Sequence, residues 1–453
     1  MSQPPQLPGM PEEQDGRPKP AVGAHAQRIA RAVRDQVELV PQSLEERVAD
    51  DHPARAIWAL LERLELGAFY TQIRAAVDGP GRPASDPRVL LGLWMLATVE
   101  GIGSARRLAR LTEEHDAYRW LRGGVPVNYH LLSDFRVAHQ AELDELLTQT
   151  IALLLSEQLV TLQRVAQDGV RVRAAAGAGS FRRRATLERC LAEAREQVVR
   201  LAAERDAPEA HAPTGRSKQQ AAQERAARER LDRVERALAA LPELEAIKDK
   251  QRKKLPQGRK ARVKEARVST TDPEARVMKL GDGGFRPALN VQLATTGDGR
   301  AIVGVTVSQQ GSDGGLAAPL EAQVVARTGQ HPQEYLIDGG LATRDDITTL
   351  ASHDVTVYAP VEPPRTETSG RTAYDPRPDD TPAVVDWRQR MSTPEGQATY
   401  RQRSGIAEWT NAQLRLRHGL QRFTVRGLHK VTSVMLLLAV THNLLRYLAL
   451  TAA

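Results

Sequence analysis

The apolar residues of this 453-residue chain change period repeatedly along its length, and each period dictates a different kind of element. From about residue 44 to 157 the spacing is helical: Ile57, Leu60, Leu61 and Leu64 recur at three- and four-residue steps, and Leu90, Leu91, Leu93, Trp94 and Leu96 form a denser, more buried segment. At Val170, Arg171, Val172 and Arg173 apolar and basic residues alternate, the two-residue period of a strand with one buried face. Asp168 shares the face parity of Val170 and Val172 and opens this strand. Leu187, Leu191, Ala194, Val198 and Leu201 then keep the spacing of a coiled-coil seam, and Ala227, Leu231, Val234, Leu238 and Leu241 repeat it after the breaker DAPEAHAPTGRSK. Two such helices fold back as an antiparallel hairpin with arms roughly 30 Å long, and Pro242 is expected to begin the end of the second arm.

Strand periodicity returns in ARVSTTDPEARVMKL, PALNVQLATT and RAIVGVTVS, separated by GDGGF and GDG turns, which predicts an antiparallel meander. Helix-like LAAPLEAQVVARTG, the short strand EYLID before a diglycine, helical TRDDITTLASHD and strand-like VTVYAP follow. A linker rich in proline and aspartate leads to a helical C-terminal part. The fold class read from this order is mixed α/β, with the coiled-coil helical hairpin inserted after the first strand and an all-α region ahead of it. Within that region SARRLARLTEEHDAYRWL, the turn RGGVPVN and YHLLSDFRVAHQ resemble a helix-turn-helix, and Asn128 is placed to cap the last helix; a compact helical bundle gives the same pattern. Val431 to Leu450 is apolar, but Thr441, His442, Asn443 and Arg446 interrupt it, so a buried helix and not a membrane span is expected, with His442 and Asn443 as a hydrogen-bonded core pair.

Lysine and arginine (63) exceed aspartate and glutamate (56), a net charge of +7 that favours an acidic partner such as nucleic acid. The single cysteine, Cys190, excludes an internal disulfide and a multi-cysteine zinc site and suits a reducing compartment. No phosphate-binding lysine loop and no HExxH is present. Three acids stand out by position: Asp168 on the first strand, Asp338 at the end of EYLID, and Glu408 on the helix beginning around Arg403. Carboxylates gathered at a sheet edge suit hard divalent cations. Asp272, Asp282, Asp345, Asp346 and Glu395 compete with them on the same grounds.

Several stretches, in order, carry a resemblance that selects among these acids: GIGSARRLARL, RWLRGGVPVNYHLLSDFR, QDGVRVRAAAGAGSFRRRATL, STTDPEARVMKLGDGGFRPALNVQ, LIDGGLAT and RSGIAEWTNAQLRLRHGLQRFTVRGLHKV. From about residue 45 onward the chain resembles the DDE transposases of bacterial insertion sequences, in the branch whose helical N-terminal domain precedes an RNase H-like catalytic domain. The resemblance implies that Asp168, Asp338 and Glu408 form a metal-binding catalytic triad holding Mg2+ or Mn2+, two ions per site. It implies phosphodiester hydrolysis at an element end, followed by attack of the freed 3′-hydroxyl on target DNA. Implied with it are DNA as partner, a homodimer or higher multimer on DNA, no membrane association, and a cytoplasmic location at the nucleoid. The corresponding division is a disordered tail at 1–43, a helical and DNA-binding domain at 44–158, a catalytic domain at 159–184 and 266–453, and the hairpin with a basic linker at 185–265.

Related enzymes carry Tyr-x2-Arg-x3-Glu-x6-Lys around the third acid, whereas Tyr400, Arg403, Glu408 and Arg415 give Tyr-x2-Arg-x4-Glu-x6-Arg. Glu408 and Arg415 share a helix face, and Asn411 lies on it as a neighbour of the metal ligands. The extra residue would swing Tyr400 and Arg403 by about 100° relative to Glu408 on a continuous helix, unless Ser404-Gly405 breaks it. Arg182, Arg183, Arg184, Arg403, Arg415, Arg422, Arg426 and Lys430, with a basic run from Lys250 to Arg267, are expected along a DNA path. A catalytically inactive DNA-binding descendant and an RNase H-like nuclease without strand transfer are the alternatives.

Overall fold

In the computed structural model, residues 41–71, 73, 83–206, 214–255, 263–362 and 372–452 are described. Most of the tail expected at 1–43, the heart of the breaker loop, part of the basic run after Lys250 and residues 363–371 of the 361–386 linker lie outside them. Leu44–Ala453 form one compact unit.

The N-terminal part is helical, as its spacing requires: α1 (Pro53–Arg63), α2 (Gly67–Tyr70), α3 (Pro87–Val99), α4 (Ala105–Glu114), α5 (Asp116–Arg122), α6 (Tyr129–Ala138) and α7 (Gln140–Ser156). Side-chain caps set the starts: Asp86 accepts from Arg88 N at 2.8 Å, and Asn128 from Leu131 N at 2.9 Å. Gly123, at φ 55°, ends α5 in the left-handed conformation that a residue without Cβ adopts freely.

Strand β1 (Arg164–Arg173) begins four residues before Asp168, so that acid sits in mid-strand and does not open it. The alternation fails there because Val165, Ala166 and Gln167 are all buried. Buried Gln167 is satisfied by Gln292 Oε1 at 3.0 Å and by the Tyr335 hydroxyl at 2.8 Å. After β2 (Phe181–Arg182) come α8 (Arg184–Asp206) and α9 (Thr214–Lys254), packed side by side with ion pairs Arg195–Glu235 (3.3 Å) and Arg230–Glu193 (3.2 Å) across them. Pro242 does not end α9, which continues to Lys254. Leu241, Leu238 and Leu244 pack there against Leu187 and Val268, and this burial offsets the backbone hydrogen bond that the proline removes. The chain returns through β3 (Val268–Ser269), paired antiparallel with β2.

The main sheet is completed by β4 (Arg276–Lys279), β5 (Phe285–Thr296), β6 (Ile302–Ser308), β7 (Glu334–Leu336) and β8 (Thr356–Tyr358). β5 pairs antiparallel with β1 and, along its other edge, with β4 and β6; β7 then adds parallel to β1 and β8 parallel to β7. Helices α10 (Ala317–Thr328), α11 (Arg344–Ser352), α12 (Pro382–Ser392), α13 (Pro394–Arg403), α14 (Trp409–Leu416) and α15 (Leu428–Thr451) complete the chain. α15 is long and apolar enough to cross a membrane, but it packs against α7, α6, α3 and β6, and one hydrophobic cluster runs from the helical part into the sheet. His442 and Asn443 are the hydrogen-bonded pair expected: Asn443 bridges the N–H and C=O of Ile302 at 2.8 and 2.9 Å, and the His442 Nε2–H donates to the Arg300 carbonyl at 2.9 Å.

Candidate active site

Three elements converge at the middle of β1. The parallel register pairs Ala166 with Leu336, so continuing it by two residues carries Asp338, just past β7, to the side of Asp168. Asp338 is held there by its own turn, its Oδ1 accepting from Leu341 N at 2.8 Å. The third element is the helical segment after α13, with Ile406 and Ala407 buried against Ala166 and Leu336.

That segment resolves the altered spacing. Ser404–Glu408 form a single π-helical turn between α13 and α14. A π turn takes one more residue per turn than an α turn, so the extra residue is absorbed without rotating the two flanks apart. Gly405 lies on the exposed side with no atom near a Cβ position, and its carbonyl accepts from Arg300 Nε at 3.1 Å. Arg300 in turn lies over the Trp409 ring, 4.6 Å from its centroid. Ser404-Gly405 was the only local signal for this turn. The helix does not break there; it widens.

Arg403 therefore still faces the acids. Its Nη2 donates to Asp168 Oδ1 at 2.6 Å, its Nη1 lies 3.9 Å from Glu408 Oε1, and its side chain is only 9% exposed. Asn411 Nδ2 donates to the other Asp168 oxygen at 2.8 Å. Burial pushes the Asp168 carboxyl above the usual carboxylate range and the neighbouring Asp338 charge adds to this, while Arg403 and Asn411 pull the other way. Burial likewise raises the Tyr400 hydroxyl, which meets Arg403 and feels the charges of Asp338 and Asp168. The structure thus gathers Asp168, Asp338, Tyr400, Arg403, Glu408 and Asn411 at one place.

A cavity of about 490 Å³ opens beside them, lined by Asp168, Arg171, Glu408, Asn411 and Arg415 among others. The donor set fits a hard divalent cation: it is all oxygen, and Asn411 Oδ1 is buried with no hydrogen-bond partner among the described residues. Gly169, next to Asp168, is required by close approach, since a Cβ there would collide with Gln292 and lie 2.8 Å from Asp313 Oδ1. The competing acids do other work or stand apart. Asp272 is buried and accepts from Glu274 N, Asp346 accepts from Gly315 N and Ala318 N at 3.0 and 3.1 Å, and Asp282 pairs with Arg286. Asp345 and Glu395 sit in the first turns of α11 and α13.

The basic residues divide into two groups. Arg184 pairs with Glu245 of α9 at 2.7 Å and Arg183 with Glu265, in the segment that leads into β3, at 2.8 Å, so both are tied down while Arg182 projects from β2. Arg415, at 3.5 Å from the Arg171 carbonyl, and exposed Arg422 and Arg426 lie at the end of β1, where Phe423 N donates to Arg173 O and Arg426 Nε to Ala175 O; exposed Lys430 follows in the first turn of α15. Arg136, the arginine of the third helical segment, is buried: it stacks 4.2 Å from the Trp94 centroid and donates to the Gly103 carbonyl at 2.7 Å.

Two stretches of the chain match known families. Residues 42–138, spanning α1 to α6, match the family described as Transposase domain (DUF772). Residues 368–448, spanning the described helices α12 to α14, most of α15 and Glu408 itself, match the family described as Transposase DDE domain. Asp168 and Asp338 lie outside both stretches. No curated protein and no solved structure matches the chain.

Proposed function

The chain is a DNA transposase of the DDE, insertion-sequence type, and from that premise we propose that Asp168, Asp338 and Glu408 are its catalytic carboxylates. The meeting of Asp168 with Arg403, Asn411 and the neighbouring Asp338, beside a cavity that Asp168, Glu408 and Asn411 line, carries this reading. The three carboxylates would hold Mg2+ or Mn2+, two ions in all, with Asn411 Oδ1 as an adjoining oxygen donor. When bound, such ions activate an attacking oxygen and stabilise the departing one in phosphodiester displacement.

The chain's own residues do the rest. Arg403 holds Asp168 and Glu408 in mutual register and offsets the repulsion between carboxylates before a cation enters. Tyr400 packs on Arg403 and limits its freedom. Arg415, Arg422, Arg426 and Lys430 provide a line of phosphate contacts leading away from the cavity, and Arg182 extends it. Water first cleaves the element end, and the freed 3′-hydroxyl then attacks target DNA at the same carboxylates. The order of strands, three antiparallel followed by two parallel on the far side, supports an RNase H-like catalytic fold, and α8 with α9 is read as an inserted antiparallel coiled-coil hairpin. The domain division at 44–158, 159–184 with 266–453, and 185–265 follows from that reading, as do assembly as a homodimer or higher multimer on DNA and a location at the nucleoid.

Asp168→Asn and Glu408→Gln test the assignment. Each should reduce Mg2+-dependent cleavage of element-end DNA to background while leaving end binding nearly unchanged. Cleavage retained in both variants would remove the acids from the mechanism. A wild-type chain that binds ends but never nicks them would favour the inactive descendant, and nicking without joined products the nuclease.

A further inference from the structure

A second group of metal-ligating side chains lies apart from this cavity and shares no lining residue with it. Glu321 on α10 has a side chain that is 0% exposed, an unfavourable place for an unaccompanied carboxylate. Its Oε1 lies 2.5 Å from His331 Nδ1 and its Oε2 lies 3.3 Å from His353 Nδ1. The two imidazole rings are 4.9 Å apart, and the three ligand atoms lie within 4.8 Å of one another. Among the described residues no lysine or arginine pairs with Glu321. The histidine side chains are 43% and 36% exposed, which leaves an approach from solvent to a buried anion.

We propose that Glu321, His331 and His353 form a binding site for a borderline transition-metal dication such as Zn2+, with one coordination position open to water. Two imidazoles and one carboxylate form a zinc-type donor set, whereas Mg2+ prefers oxygen ligands and gives up its water reluctantly. The two sites therefore sort their metals by donor chemistry. Placement suggests what the ion does. His331 precedes β7 and His353 follows α11, so the ligands straddle the segment that carries Asp338. A metal there closes the segment at both ends onto α10. That consequence rests on the catalytic reading of Asp338; the binding itself does not.

The test is a calorimetric Zn2+ titration of the chelator-stripped full-length chain, with excess Mg2+ present to occupy the oxygen-only site. One saturable equivalent is expected in the wild type, lost in His331→Gln and in His353→Gln, with a Zn2+-dependent rise in Tm seen only in the wild type. Replacement by Co2+ should give visible absorption bands that the same variants abolish. Both histidines are partly exposed, so each variant should keep its metal-free Tm, and either one that folds decides the matter. Absence of saturable binding in the wild type, or unchanged binding in a folded variant, overturns the proposal and leaves the imidazoles as hydrogen-bond partners of Glu321.

Discussion

Deleting Gly405 should leave the enzyme working, although the residue lies three positions before Glu408, the third of the proposed catalytic carboxylates. Arg403 and Glu408 are five residues apart, and on an unbroken α-helix five steps of about 100° place them roughly 140° from one another. Four steps leave only about 40°, one face. The π turn at Ser404–Glu408 supplies the missing rotation, so removing one residue from it converts the turn to α-helix while both flanks stay where they are packed. Those anchors are substantial: Ile406, Ala407 and Leu414 are buried after the deletion point, and Arg403 is held on Asp168 before it. Gly405 itself contributes a carbonyl to Arg300 and no side-chain contact. Cleavage by the deletion variant should stay within about tenfold of wild type, a barrier change under about 1.4 kcal/mol. An alanine inserted between Ser404 and Gly405 is the contrasting case. A second extra residue cannot be absorbed in the same turn, and misplacing Glu408 against Asp168 should cost on the order of 100-fold or more. Single-turnover cleavage of labelled end DNA with Mg2+ measures both, alongside Tm to establish folding. A folded deletion variant as inactive as Asp168→Asn, or an insertion variant as active as wild type, would refute the idea that the π turn exists to keep Arg403 and Glu408 on one face.

Other consequences can be measured directly. Burial lowers the His442 imidazole to about 4 from the ordinary 6.5, so the folded chain keeps it neutral while the unfolded chain takes up a proton below 6.5. Stability should therefore fall as pH drops from 6.5 towards 4, by up to about 3 kcal/mol from this group, and His442→Gln should flatten that part of a urea-midpoint profile; equal slopes would clear His442 of the role. Arg403→Gln removes the charge that opposes burial at Asp168, so its cleavage should fall and the lower limb of its pH–rate profile should move to higher pH; an unmoved limb would mean the pair is unimportant to the carboxylate. Replacing Arg422, Arg426 and Lys430 together by glutamine should weaken end binding and reduce the slope of log K against log salt by about 0.9 per lost phosphate contact. An unchanged slope would take these residues off the DNA path. Leu414→Ala, at a fully buried position beneath the site, should cost about 2–5 kcal/mol in denaturant unfolding.

Much of this architecture is written locally. The change from helical to alternating to heptad spacing orders the elements, because the periods of 3.6 and 2 residues depend only on which face a side chain takes along its own segment. The cap at Asn128 and the buried C-terminal helix with its His442–Asn443 pair follow from local patterning, whereas β7 ends at Leu336, two residues short of the expected strand end at Asp338. Boundaries were less legible where burial came from far away. β1 starts early because Gln167 finds partners on β5 and β7, and α9 outlasts Pro242 because Leu241 and Leu244 find Leu187 and Val268. The choice of three acids among eight candidates needed the family resemblance, since isolated acids look alike until something brings them together.

What only the tertiary structure decided is that meeting. Asp168 and Arg403 are 235 residues apart, and their contact depends on β7 adding beside β1 and on a π turn that no periodicity announces. The same closure buries Arg136 on Trp94, which a helix-turn-helix reading would have turned outward, and ties Arg184 to Glu245 of the long helix and Arg183 to Glu265 ahead of β3. The physical reason is common to all of these. Local sequence sets the conformation a segment prefers, whereas the partner of a buried charge is set by which surfaces the folded chain brings into register.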